Sequence, residues 1–126
     1  MPVRTYYPGS GAVIQVYENQ RGEALAADFI DGLSDDQRLK FVRLLREFGE
    51  RGEIRNTQKF RLEQKPIYVF KSNQNRILCF YLPDSLTKTI ILTHGFVKKG
   101  GKLPTRELAR ALQIYDEVVG RHNTKR

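Results

Sequence analysis

Between Phe60 and Phe96 the chain presents four apolar runs in close succession: Phe60 to Glu63, Ile67 to Lys71, Arg76 to Leu82 and Thr89 to Phe96. Each run alternates with period two or is apolar throughout, which is the pattern of sheet strands. The connections Ser72 to Asn75 (SNQN) and Pro83 to Ser85 are turn chemistry, so consecutive strands are expected to lie as antiparallel neighbours. Upstream the period is helical. Gly22 to Leu33 sets Ala26, Phe29, Ile30 and Leu33 on one face and Asp28 and Asp31 on the other. Ser34 to Gln37 has the capping-box form, and Leu39, Val42, Leu45 and Phe48 supply the buried stripe of a second helix that stops at Gly49 or Gly52. Ala12 to Tyr17 (AVIQVY) reads as a first strand, and Leu108, Ala111, Leu112, Tyr115, Val118 and Val119 as the stripe of a last helix ending at Gly120. The expected fold class is α+β: a small antiparallel-rich sheet with an N-terminal helical hairpin and a C-terminal helix, and a groove between the sheet and that last helix.

With 126 residues the chain is long enough for one core and too short for two independent domains. The expected division is a flexible arm over residues 1–11, a single domain over 12–120 and a polar tail over 121–126. No apolar run approaches the roughly 20 residues that span a bilayer, and MPVRTYYPGSG lacks the apolar stretch of a secretory signal. No membrane association is expected. A lone Cys79 cannot form an internal disulfide, and His94 and His122 make no cluster with zinc-ligand spacing, so the expectation is a cytoplasmic protein without a metal or small-molecule cofactor.

The net charge of +8 is unevenly distributed. Residues 1–63 carry ten Lys or Arg and ten Asp or Glu, whereas residues 64–126 carry twelve against four. A basic second half points to a polyanionic partner, most often nucleic acid. Its focus is Ile90 to Leu108, IILTHGFVKKGGKLPTREL, in which a strand empties into a cationic glycine loop and then a helix. Gly100 and Gly101 leave backbone free to approach a ligand, Lys98, Lys99 and Lys102 surround them, and Pro104 suits a helix start. Helix starts also offer unpaired amides, so loop, lysines and helix together read either as a phosphate cradle or as a solvated loop whose lysines hold nothing.

A symmetric turn at Ser72 to Asn75 would set Lys71 opposite Arg76 on one side of the sheet. Directly opposed like charges cost roughly 0.2 to 1 kcal/mol, which makes better sense with a phosphate between them. His94, read as sharing its strand face with Leu92 and Phe96, is either a hydrogen-bonded core histidine or a proton carrier beside the lysine loop. Without a P-loop, a dinucleotide fingerprint or a nucleophile motif, the remaining chemistry is metal-free cleavage of RNA by its own 2′-hydroxyl, assisted by proton transfer and cations. DNA lacks that hydroxyl.

The run LTHGFVKKGGKLPTRELARAL (Leu92 to Leu112), with RILCFY (Arg76 to Tyr81) and IYVFK (Ile67 to Lys71), resembles the HigB-like, phage-associated branch of the RelE/ParE toxin superfamily. The resemblance covers about half the chain, and its most specific part is HGF-x-KK followed by K-x-P and a helix. It implies a RelE-like fold and the toxin of a type II toxin-antitoxin pair that cleaves mRNA on the ribosome, with a cognate antitoxin that often carries a helix-turn-helix domain. It also implies catalytic roles for His94, Arg76, Lys98 and Lys99 and phosphate contacts from Lys71, Lys102 and Arg106. Lys71 stands where the family commonly has arginine, which removes a bidentate phosphate contact, and Leu103 replaces a threonine usual before Pro104. Two rival expectations are a ParE-like gyrase inhibitor without nuclease activity and a non-toxic phage or plasmid module that binds nucleic acid.

Overall fold

A strand packed on one side only alternates buried and exposed residues, so two adjacent strands buried at almost every position need cover on both faces. The computed structural model, which describes residues 2–124 and the side chains as far as Gly120, meets that requirement. Its elements in chain order are β1 (Val3–Pro8), β2 (Val13–Tyr17), α1 (Leu25–Asp31), α2 (Asp35–Arg51), β3 (Phe60–Gln64), β4 (Ile67–Ser72), β5 (Asn75–Tyr81), β6 (Thr89–Val97) and α3 (Thr105–Thr124). The strands form one sheet in the order β1-β2-β6-β5-β4-β3, in which β2 and β6 are parallel and every other pair is antiparallel. On one face α1 and α2 bury Ala26, Ile30, Phe41, Leu45 and Phe48 against Ile14, Val16, Phe70, Ile77, Ile90 and Leu92. On the other face Ala111, Ile114, Val118 and Val119 of α3 cover Ile67, Val69, Leu78, Phe80 and Ile91. Among the described residues no helix is long and apolar enough to cross a membrane.

The chain is α+β as expected, but the small antiparallel-rich sheet with an N-terminal helical hairpin is corrected. The sheet is mixed and six-stranded, and two strands precede the helices. Residues 3–8, expected as part of a flexible arm, pair with β2 as an edge strand. The glycines that suggested disorder serve a close approach instead: a Cβ on Gly9 would lie 2.1 Å from the Gly49 carbonyl oxygen, and that oxygen accepts the Gly11 and Ala12 amides at 2.8 and 2.9 Å. The mixed topology follows because the chain leaves β2 for both helices and three strands before β6 returns alongside it. At the other end α3 passes Gly120 and takes in the first four residues of the expected polar tail.

The helix boundaries obey local chemistry more closely than the helix faces do. Ser34 Oγ accepts the Gln37 amide at 3.4 Å, and Gly52 closes α2 in the left-handed region (φ 79°) with its amide on Phe48 O. The buried stripe of α2, however, is Phe41, Leu44, Leu45 and Phe48, while Leu39 is 49% exposed. Two apolar ladders overlap on this helix, and the sheet takes the one that carries both phenylalanines.

Helix α1 sits hard on β6. A Cβ at Gly95 would meet the Phe29 ring at 2.3 Å, so the glycine of the HGF motif makes room for a helix rather than for a ligand. Gly95→Ala is therefore expected to cost about 1–3 kcal/mol through overpacking, read as a lower urea midpoint, and Phe29→Ala in the same chain should recover part of the loss. An unchanged midpoint would mean that α1 is not seated on β6.

Candidate functional site

Alternation along β4 sends Ile67, Val69 and Lys71 to the α3 side of the sheet, and the hairpin register carries this to β5. Ser72 pairs with Asn75 and Lys71 with Arg76 around the two-residue turn Asn73-Gln74, whose first residue takes a positive φ of 56°. The opposition of Lys71 and Arg76 expected from the turn is therefore present. On β3, Arg61 pairs with Val69 and so faces the same side. At the end of β6 the Lys98 amide donates to Gln74 O at 2.8 Å, which pins the loop to the hairpin tip. Past that anchor Gly100 and Gly101 have positive φ (65° and 52°) and no heavy atom within 4 Å of an added Cβ, so the loop can turn over the sheet edge.

These elements enclose a cleft of about 380 Å³ between the sheet, the loop and the start of α3. Arg61, Lys71, Arg76, Lys98 and Lys102 line it with a single carboxylate, Glu63. Glu63 holds Arg61 Nε at 3.1 Å, and among the described residues none of the other four cations has a carboxylate within ion-pair distance. Lost hydration, and then the nearby Arg61, Arg76 and Lys98, hold the Lys71 ammonium below its ordinary pKa against the pull of Glu63. Arg76 is likewise lowered, first by burial and then by Arg61. Its Nη1 donates to Asn73 O and Asn75 O at 2.8 and 3.0 Å, which fixes the guanidinium and leaves its Nε and Nη2 donors for a ligand.

Of the residues singled out from the sequence, Lys71, Arg76, Lys98 and Lys102 come together in this cleft. Lys99 is exposed outside its lining, and Arg106 points to solvent with its side chain 87% exposed. His94 is not brought there either. Across the β5–β6 pair Leu78 faces His94 and Cys79 faces Leu92, so Thr93 is an extra bulged residue that turns His94 to the α3 side, away from Leu92. The imidazole is 2% exposed; Nε2 lies 3.0 Å from Glu107 Oε1 on the first turn of α3, and Nδ1 lies 3.0 Å from Thr93 Oγ1. Both ring nitrogens are thus engaged, Nε2 tying β6 to α3 and Nδ1 held by the preceding residue of β6, and no surface is left for substrate. Arg61 and Glu63 were missed because FRLEQ reads as one more alternating strand; the β3–β4 register that aims Arg61 was the only available signal.

In the neutral imidazole Nε2–H donates to Glu107 while Nδ1 accepts from Thr93. Protonating Nδ1 requires the Thr93 hydroxyl to turn to its alternative acceptor, Leu78 O, also at 3.0 Å. Burial, the larger influence, outweighs the Glu107 hydrogen bond and holds the His94 pKa below the ordinary histidine value. The unfolded chain therefore binds more protons as pH falls through about 6.5, so stability from this group is present above that pH and lost below it. Urea midpoints should fall between pH 7.5 and 5.5 in the wild type and fall less in His94→Gln. Equal falls in both would exclude His94 as the source.

Comparison with curated proteins finds no match. Residues 28–116 match the model of a family described as phage derived protein Gp49-like (DUF891). That match runs from α1 through every cleft-lining residue and most of α3, and with it the chain belongs to the Gp49-like phage-derived family.

Proposed function

We propose that this protein is a toxin-type endoribonuclease that cuts mRNA in the cationic cleft without a metal ion. The observation that carries the reading is the convergence of five cations from three strands and one loop on a single concavity with one carboxylate. Such a site attracts a phosphodiester and stabilises the charge that develops on it.

In the proposed reaction Lys71, whose pKa its surroundings lower, takes the proton of the substrate 2′-hydroxyl in the fraction of molecules that carry it as the free amine. The 2′-oxygen bonds to phosphorus, the bond to the 5′-oxygen breaks, and an ammonium on the loop, Lys98 or Lys102, protonates the departing oxygen. The products are a 2′,3′-cyclic phosphate and a 5′-hydroxyl. Arg76 and Arg61 face the non-bridging oxygens and cannot give up their protons, so they act through charge alone. His94 acts indirectly, by holding the first turn of α3 beside the loop. This replaces the proton-carrier role expected for His94 with one for Lys71. Lys71 in place of the family's arginine then supplies a group that titrates, where an arginine would not. Delivery of mRNA by the ribosome, and silencing by an antitoxin that covers the cleft with acidic side chains, belong to the same proposal.

Arg76→Ala is expected to lower kcat by about 10²- to 10³-fold, or roughly 2.7–4 kcal/mol, with Lys99→Ala and Arg106→Ala close to wild type. Lys71→Arg should keep RNA binding while losing about 10²-fold or more in rate together with the ascending limb of the pH profile, on which rate rises as the base loses its proton. The measurement is cleavage of a labelled RNA by purified protein in EDTA, beside a substrate carrying a 2′-deoxy sugar at the cut, which should bind and stay intact. Wild-type protein that leaves RNA whole while inducing DNA damage in cells would replace this reading with the gyrase-directed one.

A further inference from the structure

Behind the β4–β5 hairpin lies a second groove, of about 590 Å³, between α2 and the segment that enters β3. Its cations are Lys40, Arg43, Lys59 and Lys71, against the single carboxylate of Glu47. Lys40 is engaged by Asp36 at 3.2 Å, but neither Arg43 nor Lys59 has a carboxylate within ion-pair distance among the described residues. Lys71 lines both this groove and the cleft. The two are also joined by backbone, because the Lys71 amide donates to Lys59 O at 2.8 Å and so holds these two residues side by side. The positive surface therefore continues from the cleft, over the hairpin, to α2. No aromatic ring lines the groove, and Asn56 Oδ1 is spent on the Gln58 amide of its own turn at 2.9 Å. Nothing there stacks on a base, so the groove suits a sugar-phosphate backbone read without regard to sequence.

We infer that one RNA strand occupies both concavities: the scissile phosphate in the cleft, and the flanking phosphates on one side of the cut in the groove, held by Arg43, Lys59 and Lys40. This rests on the nuclease reading and adds a length requirement to it. A strand too short to pass the hairpin engages the cleft alone.

The test uses the full chain and labelled 2′-O-methyl oligonucleotides of 4 and 14 nucleotides, which cannot be cut, with anisotropy read over a salt series, and unmodified RNA 4-mers for cleavage. Wild-type affinity is expected to rise with length. The exposed triple substitution Lys40→Ala, Arg43→Ala, Lys59→Ala should abolish that rise and lower the log-log salt slope for the 14-mer by about 2, at about 0.7 per single-strand phosphate contact. Binding and cleavage of the 4-mers should stay unchanged. Length-independent binding by the wild type, or a triple variant that keeps the length gain, would overturn the inference while cleavage of the 4-mer still upheld the cleft. An acidic peptide that binds the wild type and loses its hold on the triple variant, with 14-mer affinity itself unaffected by the substitutions, would assign the groove to a protein instead. A length gain lost in the triple variant, with no cleavage by the wild type of either free or ribosome-bound RNA, would support the groove and reject the nuclease.

Discussion

Strand β6 is held on all four sides, and the site is built on that restraint. It has β2 on one edge as far as Leu92, β5 on the other through to Val97, α1 beneath and α3 above, so its end is held by β5 and the two helices. The loop that leaves it is therefore rigidly launched, and its first residue is pinned to the β4–β5 tip. The Thr93 bulge adds a change of phase: beyond it His94 and Phe96 face α3, and the His94–Glu107 contact closes the loop from its far end. A loop of glycines and lysines is thus fixed at both ends and free in the middle, which suits a segment that must meet an extended anion.

Gathering like charges opposes folding, and the structure sets apolar packing directly behind them. On the sheet face away from the cleft, Phe60 and Phe70 lie 4.6 Å apart by ring centroid, Phe48 meets Phe70 edge-on at 5.3 Å, and Tyr68 meets Tyr81 at 5.1 Å. Aromatic pairs of this kind contribute about 0.5–1.5 kcal/mol each beyond their buried area, comparable with or larger than the roughly 0.2–1 kcal/mol cost of one opposed pair of cations on a sheet. The same strands therefore carry the repulsion on one face and the cohesion that offsets it on the other.

What could be read from the residues was local. The SNQN turn determines which residues of β4 and β5 stand opposite each other, and Ser34 marks the start of α2, because both depend on a few adjacent side chains. The phase of the α2 stripe, the strand within the N-terminal arm and the place of His94 depend on distant partners. Nothing near Gly9 or Gly11 in the sequence announces the approach of Gly49, and no local signal marks Thr93 as a bulge. The cationic loop was legible from its lysines, whereas Arg61 became part of the site only through the register of β3 against β4. The family match, over residues 28–116, carries the chain's kinship.

Both outer strands of the sheet carry a register shift, β1 between Thr5 and Tyr7 and β3 between Leu62 and Gln64. A kinked border presents its free amides and carbonyls out of line, and β3 adds Arg61 and the neighbouring Lys65 to that border. Neither rim is then a good template for a foreign strand, so copies of this chain crowded at high concentration have little tendency to stitch together edge to edge into fibrils.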